Sequence, residues 1–222
     1  MLLFITANRR ALLLFAALSV IVAVLTVTRV YSVLVYDSVD TNGAVALLAV
    51  NQDCAVDIEE QEWLISCQLP NGALAQTPDS DLVVPYFSNL SAVTLTDINP
   101  GAAAEYIKWY LSVLNMPDRW GLSGTVYDYT VHRQEHETGE TITMKATRDY
   151  DSADSYASTF LSLISYFYEK TQDSAIITSY FNEINTVAEV IVKLQDKDGL
   201  VFVKPSSRTK YLIDNAENYK GL

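Results

Sequence analysis

The stretch ADSYASTFLSLISYFY, residues 153–168, decides the fold. Apolar side chains recur in it every three or four positions, the spacing that lines one face of an α-helix. This pattern predicts an amphipathic helix with one face in a protein core. The aromatic residues of the stretch, with one more from the next predicted helix, are interpreted as core residues: Tyr156, Phe160, Phe167 and Phe181.

Similar patterns before and after this stretch predict a mainly helical, all-α fold. The predicted helices cover residues 53–67, 85–96, 100–114, 153–168, 174–194 and a segment that starts at 214. Asn99 followed by Pro100 is typical of a helix start, because asparagine caps free N–H groups and proline fits the first helical position. The predicted fold is therefore a series of helices joined by loops.

The connections between the predicted helices alternate in length. The second and third helices, and the fourth and fifth, are joined by tight turns. Long loops, Gln68–Val84, Asn115–Tyr150 and Asp196–Ile213, make the other connections. Antiparallel helices with such connections place all the long loops at one end, here called the rim. Functional residues concentrate on such loops, so we expect a site at the rim.

Three of the predicted helices are followed by similar segments that contain a glycine. Gly72 and Gly199 follow matching Gln and Asn or Asp residues, and Gly121 follows a looser match. We interpret each glycine as a left-handed helix stop and the series as a helical-hairpin repeat. Within the longest loop, residues 125–132 and 141–147 predict a small β-hairpin that turns at 137–139.

The N-terminal segment predicts export. Arg9 and Arg10 precede the uncharged run Ala11–Val27, which Arg29 closes. The run is just long enough to span a bilayer, and the arginines keep its start inside the cell. A cleaved signal peptide and a buried core helix are the alternatives, although a core helix would show a polar face. The predicted organisation is residues 1–29 as anchor or signal, 30–52 as connector and 53–222 as the helical domain.

Composition excludes several functions. The net charge is −12, and residues 30–107 contain no Lys or Arg, so a nucleic acid partner is not expected. Cys54 and Cys67 either form a disulfide or remain two separate thiols. His132 and His136 lie in the predicted β-hairpin, where their spacing does not favour a metal. We therefore expect neither a metal nor another cofactor.

Four segments together resemble the six-hairpin glycosidase-like proteins. They are VPYFSN (84–89), GLSGTVYDY (121–129), YDSADSY (150–156) and DNAENYKGL (214–222). The resemblance implies an (α/α) toroid of inner and outer helices with a carbohydrate cleft at the rim. About three of the six hairpins are present, so the chain is expected to be an N-terminal portion.

This resemblance directs attention to the rim carboxylates, because glycoside hydrolysis uses one protonated and one ionised carboxyl group. The catalytic candidates are Asp154, Asp214, Asp128, Asp151 and Glu217. Helix dipoles are expected to favour ionised Asp154 and Asp214, whereas Asp128, between two tyrosines, is the candidate acid with a raised pKa. Helix capping also explains the spacing of the pairs 151/154 and 214/217.

Aromatic rim residues are candidates for stacking on sugar rings. The substrate-binding candidates are Trp120, Tyr127, Tyr129, Tyr150 and Tyr219, together with Asn89 from the first resembling segment. The sequence thus predicts a membrane-anchored, extracytoplasmic glycoside hydrolase that acts on an oligo- or polysaccharide. The alternatives are a non-catalytic glycan-binding or scaffold protein and a polysaccharide lyase, for which Arg119 and Arg148 would neutralise uronic acids.

Overall fold

The computed structural model describes residues 58–136 and 139–222, which form a mainly helical structure with one small antiparallel sheet. The helices in these residues are α1 (Ile58–Ser66), α2 (Pro85–Ile98), α3 (Pro100–Ser112), α4 (Ala153–Thr171), α5 (Ala175–Ser179), α6 (Phe181–Leu194) and α7 (Leu212–Gly221). The strands are β1 (Leu82–Val83), β2 (Tyr129–His136) and β3 (Gly139–Ala146), in the order β1-β2-β3.

The helices begin close to the predicted positions. The side chain of Asn99 accepts a hydrogen bond from the Ala102 amide (3.1 Å), and Pro100 opens α3 as expected. The predicted fifth helix is divided into α5 and α6, because the backbone of Tyr180 leaves the helical region (φ −117°, ψ 27°). Phe181 therefore starts a new helix and is 60 % exposed, so its interpretation as a core residue was wrong.

The core is built around α4. This helix packs against α2, α6 and α7, while α3 packs on α2. The Tyr110 and Phe160 rings stack with their centroids 3.8 Å apart, and both are fully buried. Burying such a ring stabilises the fold by about 1.5–3 kcal/mol relative to leaving it exposed. The predicted core residues Tyr156, Phe160 and Phe167 are confirmed as buried.

The three long loops meet at the end of the molecule where α2, α4 and α7 begin. β1, in the first loop, pairs with the start of β2, in the second. The Val203 carbonyl of the third loop accepts the amide of Ala153 (2.8 Å) at the start of α4. The loops therefore share one rim, as their lengths predicted. The predicted β-hairpin is present, although its first strand starts at Tyr129 rather than at 125.

The glycine segments form one turn that occurs three times. In each, the glycine amide bonds the carbonyl three residues earlier: Gly72 to Leu69, Gly121 to Asp118, and Gly199 to Asp196 (2.9–3.1 Å). All three glycines have φ between +84° and +92°. Each lies several residues past its helix, so the helix-stop interpretation was wrong. The glycine instead closes a tight turn, where its positive φ is needed.

The first and third loops repeat each other beyond this turn. Gln68 bridges to Leu74 as Gln195 bridges to Val201, and the helices that follow begin at equivalent positions, Pro85 and Leu212. This correspondence matches Ala92 and Leu95 of α2 with Tyr219 of α7 and with Leu222, which follows α7 directly. The α2 residues are fully buried, whereas Tyr219 and Leu222 are 91 % and 69 % exposed.

Gly72 and Gly199 show the same contrast. A Cβ atom on Gly72 would come within 2.6 Å of the Glu105 carbonyl of α3, whereas one on Gly199 would meet nothing within 4 Å. In the first repeat, α3 packs on α2. At the equivalent place in the second repeat, the described residues leave an uncovered groove between α6 and α7.

The predicted membrane segment Ala11–Val27 and Cys54 lie outside the described residues. No helix within 58–136 and 139–222 has the length and apolar composition that a membrane span requires. Cys67 is buried, and its thiol donates to the Trp63 carbonyl (3.4 Å).

Candidate active site at the rim

A cavity of about 360 Å³ opens at the rim where α2, α4 and α7 begin. Each of these helices contributes residues from its first turn or from the segment just before it. This rim cavity is lined by Val84, Tyr86, Phe87, Asp151, Ser152, Ser155, Tyr156, Val203, Tyr211, Ile213 and Asp214. Its volume is typical of small-molecule sites, and three helix dipoles direct their positive ends toward it.

Asp214 is the largely buried carboxylate that lines this cavity. Its Oδ2 lies 3.3 Å from the Ser152 hydroxyl, which is also 2.7 Å from Oδ1 of Asp154. A hydroxyl has one proton to donate, so both contacts are hydrogen bonds only when one carboxyl group is protonated. Burial raises the pKa of Asp214, and the charge of Glu217 raises it further, while the Ser152 hydroxyl acts in the opposite direction.

Asp154 lies beneath the cavity and has no exposed surface. Its carboxylate also accepts the Ser155 amide and the Asn218 side-chain amide, each at 2.9 Å. Burial raises its pKa to about 6 even though its hydrogen bonds favour the ionised form. The expectation that the ionised forms of Asp154 and Asp214 are favoured was therefore wrong, because desolvation outweighs the hydrogen bonds that favour those forms. Asp154 holds its neighbours in place rather than facing a ligand.

The capping explanation for the carboxylate pairs also fails. The cap positions of α4 and α7 are Ser152 and Tyr211, and neither side chain caps its helix. Asp151 directly precedes Ser152, the cap position of α4; it is exposed and lines the rim cavity. Glu217 lies further along α7, where its Oε1 accepts the Tyr86 hydroxyl at 2.8 Å.

Asp128 lies behind the wall of the rim cavity. The hydroxyl of Tyr156, whose side chain lines the cavity, donates to Oδ1 of Asp128 at 2.9 Å. Burial, with smaller contributions from the charges of Asp149 and Asp151, raises the pKa of Asp128 to about 6. This direction agrees with the prediction for a candidate acid. The Tyr156 hydroxyl connects Asp128 to the cavity.

Three predicted aromatic platforms instead make contacts within the second rim loop or with α3. The buried Tyr150 donates its hydroxyl to Asp118 at 2.6 Å, and the Tyr127 hydroxyl accepts the Arg119 amide at 2.6 Å. Tyr129 packs edge-on against Trp109, with ring centroids 5.7 Å apart. None of these three tyrosines lines the rim cavity.

Asn89 and Tyr219 also lie away from the rim cavity. Asn89 is fully buried: it donates to the Tyr156 carbonyl and the Thr159 hydroxyl (3.0 and 2.9 Å) and accepts from Tyr106 (2.7 Å). It therefore links three helices and has no surface to offer a ligand. Tyr219 lies in the groove between α6 and α7.

The remaining predicted residues belong to the neighbouring loops. Trp120 lies at the rim but lines a second cavity. Arg119 pairs with Asp149 (3.1 Å), and neither it nor Arg148 lines the rim cavity.

Sequence reasoning missed the aromatic side chains that do line the rim cavity. Phe87 and Tyr211 are 52 % and 54 % exposed, and Tyr86 packs edge-on against Phe87 with ring centroids 5.3 Å apart. All three lie where a helix begins after a long loop. Their position at a helix start after a long loop could have identified them, because that position already selected the acidic candidates at the starts of α4 and α7.

No group of three or more His, Cys, Asp or Glu side chains in the described ranges is arranged to hold a metal ion. Comparison with protein-family models gives no match to this chain, and comparison with curated protein sequences gives none. The functional assignment therefore depends on the sequence and on the geometry of the rim.

Proposed function

We propose that this chain is an extracytoplasmic carbohydrate-active protein whose rim cavity binds a sugar unit of a glycan. The observation that carries the proposal is the pairing of exposed aromatic rings, Phe87 and Tyr211, with the carboxyl group of Asp214 in one cavity. Sugar rings present apolar faces to aromatic side chains and hydroxyls to polar ones. The uncharged segment Ala11–Val27 would anchor the domain on the outer side of the membrane.

The proposal includes the toroidal arrangement of six-hairpin glycosidase-like proteins. Two features support it: the recurring glycine turn, and the packing of α2, α6 and α7 against α4 with α3 packed on α2.

The proposed reaction is hydrolysis of a glycosidic bond by two carboxyl groups. Asp214 acts as the base that takes a proton from water while the water oxygen bonds to the anomeric carbon. The glycosidic C–O bond breaks and its oxygen takes the proton of the Tyr156 hydroxyl. Protonated Asp128 replaces that proton, which requires it to donate to the Tyr156 oxygen in place of the present hydrogen bond, in which Tyr156 donates. Raised pKa values suit both groups, since they strengthen the base and keep the acid protonated closer to neutral pH.

The binding step is tested by calorimetric titration of a panel of oligosaccharides. Phe87→Ala is expected to weaken binding about tenfold, because stacking on one ring is lost. Phe181→Ala is the matched control, since it removes a similarly exposed ring from another part of the surface. Absence of binding by any oligosaccharide, or equal effects of the two substitutions, would contradict the proposal.

The catalytic step is tested by release of reducing ends. Asp214→Asn should lower kcat at least about a hundredfold with little change in binding, because a general base contributes about that much. Asp79→Asn, which removes an exposed carboxylate outside the lining of the rim cavity, is the control.

The second candidate function is glycan binding without turnover. It is favoured by one observation: Asp154 is enclosed and Asp128 is bonded to Tyr156, so only Asp151 and Asp214 are carboxylates that line the cavity. Oligosaccharide binding that depends on Phe87 without any release of reducing ends would select this function.

A further inference from the structure

A second cavity, of about 350 Å³, lies beside the first at the rim. It is formed by the loop that contains Trp120, the end of α6 and the segment 202–208. This basic cavity is defined by its charged and aromatic lining residues: Trp120, Lys193, Asp196, Phe202, Lys204 and Arg208. It therefore contains three cations and one carboxylate, in a protein whose net charge is −12.

The single carboxylate of the basic cavity already has a partner. The Lys210 ammonium lies 2.7 Å from Asp196, and the Lys193 ammonium lies 2.7 Å from Glu189 on the surface of α6. The ammonium of Lys204 donates to a backbone carbonyl, that of Tyr150 (3.2 Å). Among the described residues, neither Lys204 nor Arg208 forms a salt bridge with a carboxylate. These two cations are available to an anion.

The aromatic walls of the basic cavity lie next to cations. The guanidinium carbon of Arg208 lies 4.9 Å from the centre of the Phe202 ring, and that of Arg119 lies 4.0 Å from the centre of Trp120. A flat apolar surface beside a guanidinium group suits a sugar with an anionic substituent. The anion accepts charge-assisted hydrogen bonds from the cations, and the sugar lies against the parts of the Trp120 and Phe202 rings that Arg119, Arg208 and Lys210 leave uncovered.

The two cavities share a wall. Val203 lines the rim cavity, whereas its neighbours Phe202 and Lys204 line the basic cavity. The carbonyl that Lys204 binds belongs to Tyr150, the residue before Asp151 of the rim cavity. The two cavities therefore lie on neighbouring residues of the same two loop segments, 150–151 and 202–204.

We propose that the basic cavity is a subsite for an anionic group, a carboxylate or a phosphate, on the sugar next to the one in the rim cavity. This inference rests on the proposed function and narrows its substrate class to acidic glycans. Lys204 and Arg208 pair with the anion, and Trp120 and Phe202 support the sugar that carries it.

Calorimetry with three oligosaccharides of equal length tests this subsite: an oligogalacturonate, a phosphorylated oligosaccharide and their neutral counterpart. At least one anionic ligand should bind about tenfold more tightly than the neutral one, and this advantage should shrink as salt increases. The anionic ligand with the larger advantage identifies the group as carboxylate or phosphate. Equal affinities for all three would overturn the subsite while leaving the rim cavity intact.

Two substitutions, Lys204→Met and Arg208→Gln, locate the effect. Each should remove most of the anionic advantage and leave neutral binding unchanged, whereas Lys197→Met, on the same loop but outside the cavity lining, should change neither. Arg208→Gln keeps the test valid if loss of the Lys204 contact with Tyr150 disturbs the loop. An anionic advantage that survives both substitutions refutes the assignment.

A separate titration with free galacturonate and inorganic phosphate distinguishes failure of the subsite from failure of the proposed function. One outcome is that no oligosaccharide binds, whereas one of these small anions binds to the wild-type protein and not to Arg208→Gln. This outcome would support the anion site and refute the glycan function.

Discussion

Replacing Asp154 by asparagine tests how burial controls the carboxyl groups below the rim cavity. The Asp154 side chain has no exposed surface, and its pKa rises from 3.8 to about 6 on folding because the ionised form loses its hydration. The folded protein therefore holds this proton more tightly than the unfolded chain. The stability that the proton contributes is complete below about pH 4 and is lost as the pH rises through about 6.

The magnitude follows from the difference in pKa. Each pKa unit corresponds to about 1.4 kcal/mol, so Asp154 accounts for a loss of about 3 kcal/mol across this range. Asparagine carries no charge, so the variant lacks this loss. The amide N–H₂ of the asparagine introduced at position 154 also finds an acceptor. Oδ1 of buried Asn218 has no hydrogen-bond partner among the described residues, and it faces position 154 when the Asn218 amide flips.

Urea unfolding at a series of pH values from about 4 to 7 measures the effect. The free energy of unfolding of the wild-type protein should fall across this range by about 3 kcal/mol more than that of Asp154→Asn. Asp151→Asn is the control, since it removes an exposed carboxylate from the same rim. Parallel pH profiles for wild type and Asp154→Asn, or an equal effect of Asp151→Asn, would refute the reasoning.

Two further predictions concern stability, measured as the free energy of unfolding in urea. Gly199→Ala should lower the free energy of unfolding by about 1 kcal/mol, because the residue has a positive φ. Gly72→Ala should lower it by at least about 1 kcal/mol more, because the added Cβ also meets the Glu105 carbonyl. Equal losses would contradict the packing difference between the two turns. Asn89→Ala should lower the free energy of unfolding by about 2–4 kcal/mol, since it leaves buried partners without hydrogen bonds. The control, Asn185→Ala at an exposed position, should change stability by less than about 0.5 kcal/mol. A small loss for Asn89→Ala would show that water replaces its amide.

The helices and the position of the loops were predictable because their signals are local. Asn99 and Pro100 fix the start of α3 through the conformations of those two residues and one capping bond. The spacing of apolar residues in 153–168 defines a buried face whatever it packs against. The division at Tyr180 was not predictable from that spacing, since the apolar pattern continues through the break between α5 and α6.

The candidate site was predictable as a region but not residue by residue. Loop lengths placed the acidic residues at the rim, and Asp151 and Asp214 do line its cavity. Tyr150 and Asn89 were predicted as ligand contacts, yet their polar atoms bond to residues far away in the chain, Asp118 and Tyr156. No spacing rule anticipates such pairs, because only folding brings their partners within reach.

By itself, the sequence determined the helical class and the single rim of long loops, because helix starts and loop lengths follow from backbone preferences within a few neighbouring residues. Tertiary structure alone decided which carboxyl groups are buried and which aromatic rings remain open. The pKa of Asp154 illustrates the reason. Hydrogen bonds from Ser152, Asn218 and the Ser155 amide favour its charged form, but packing against α7 removes water from the carboxylate, and this desolvation outweighs those hydrogen bonds.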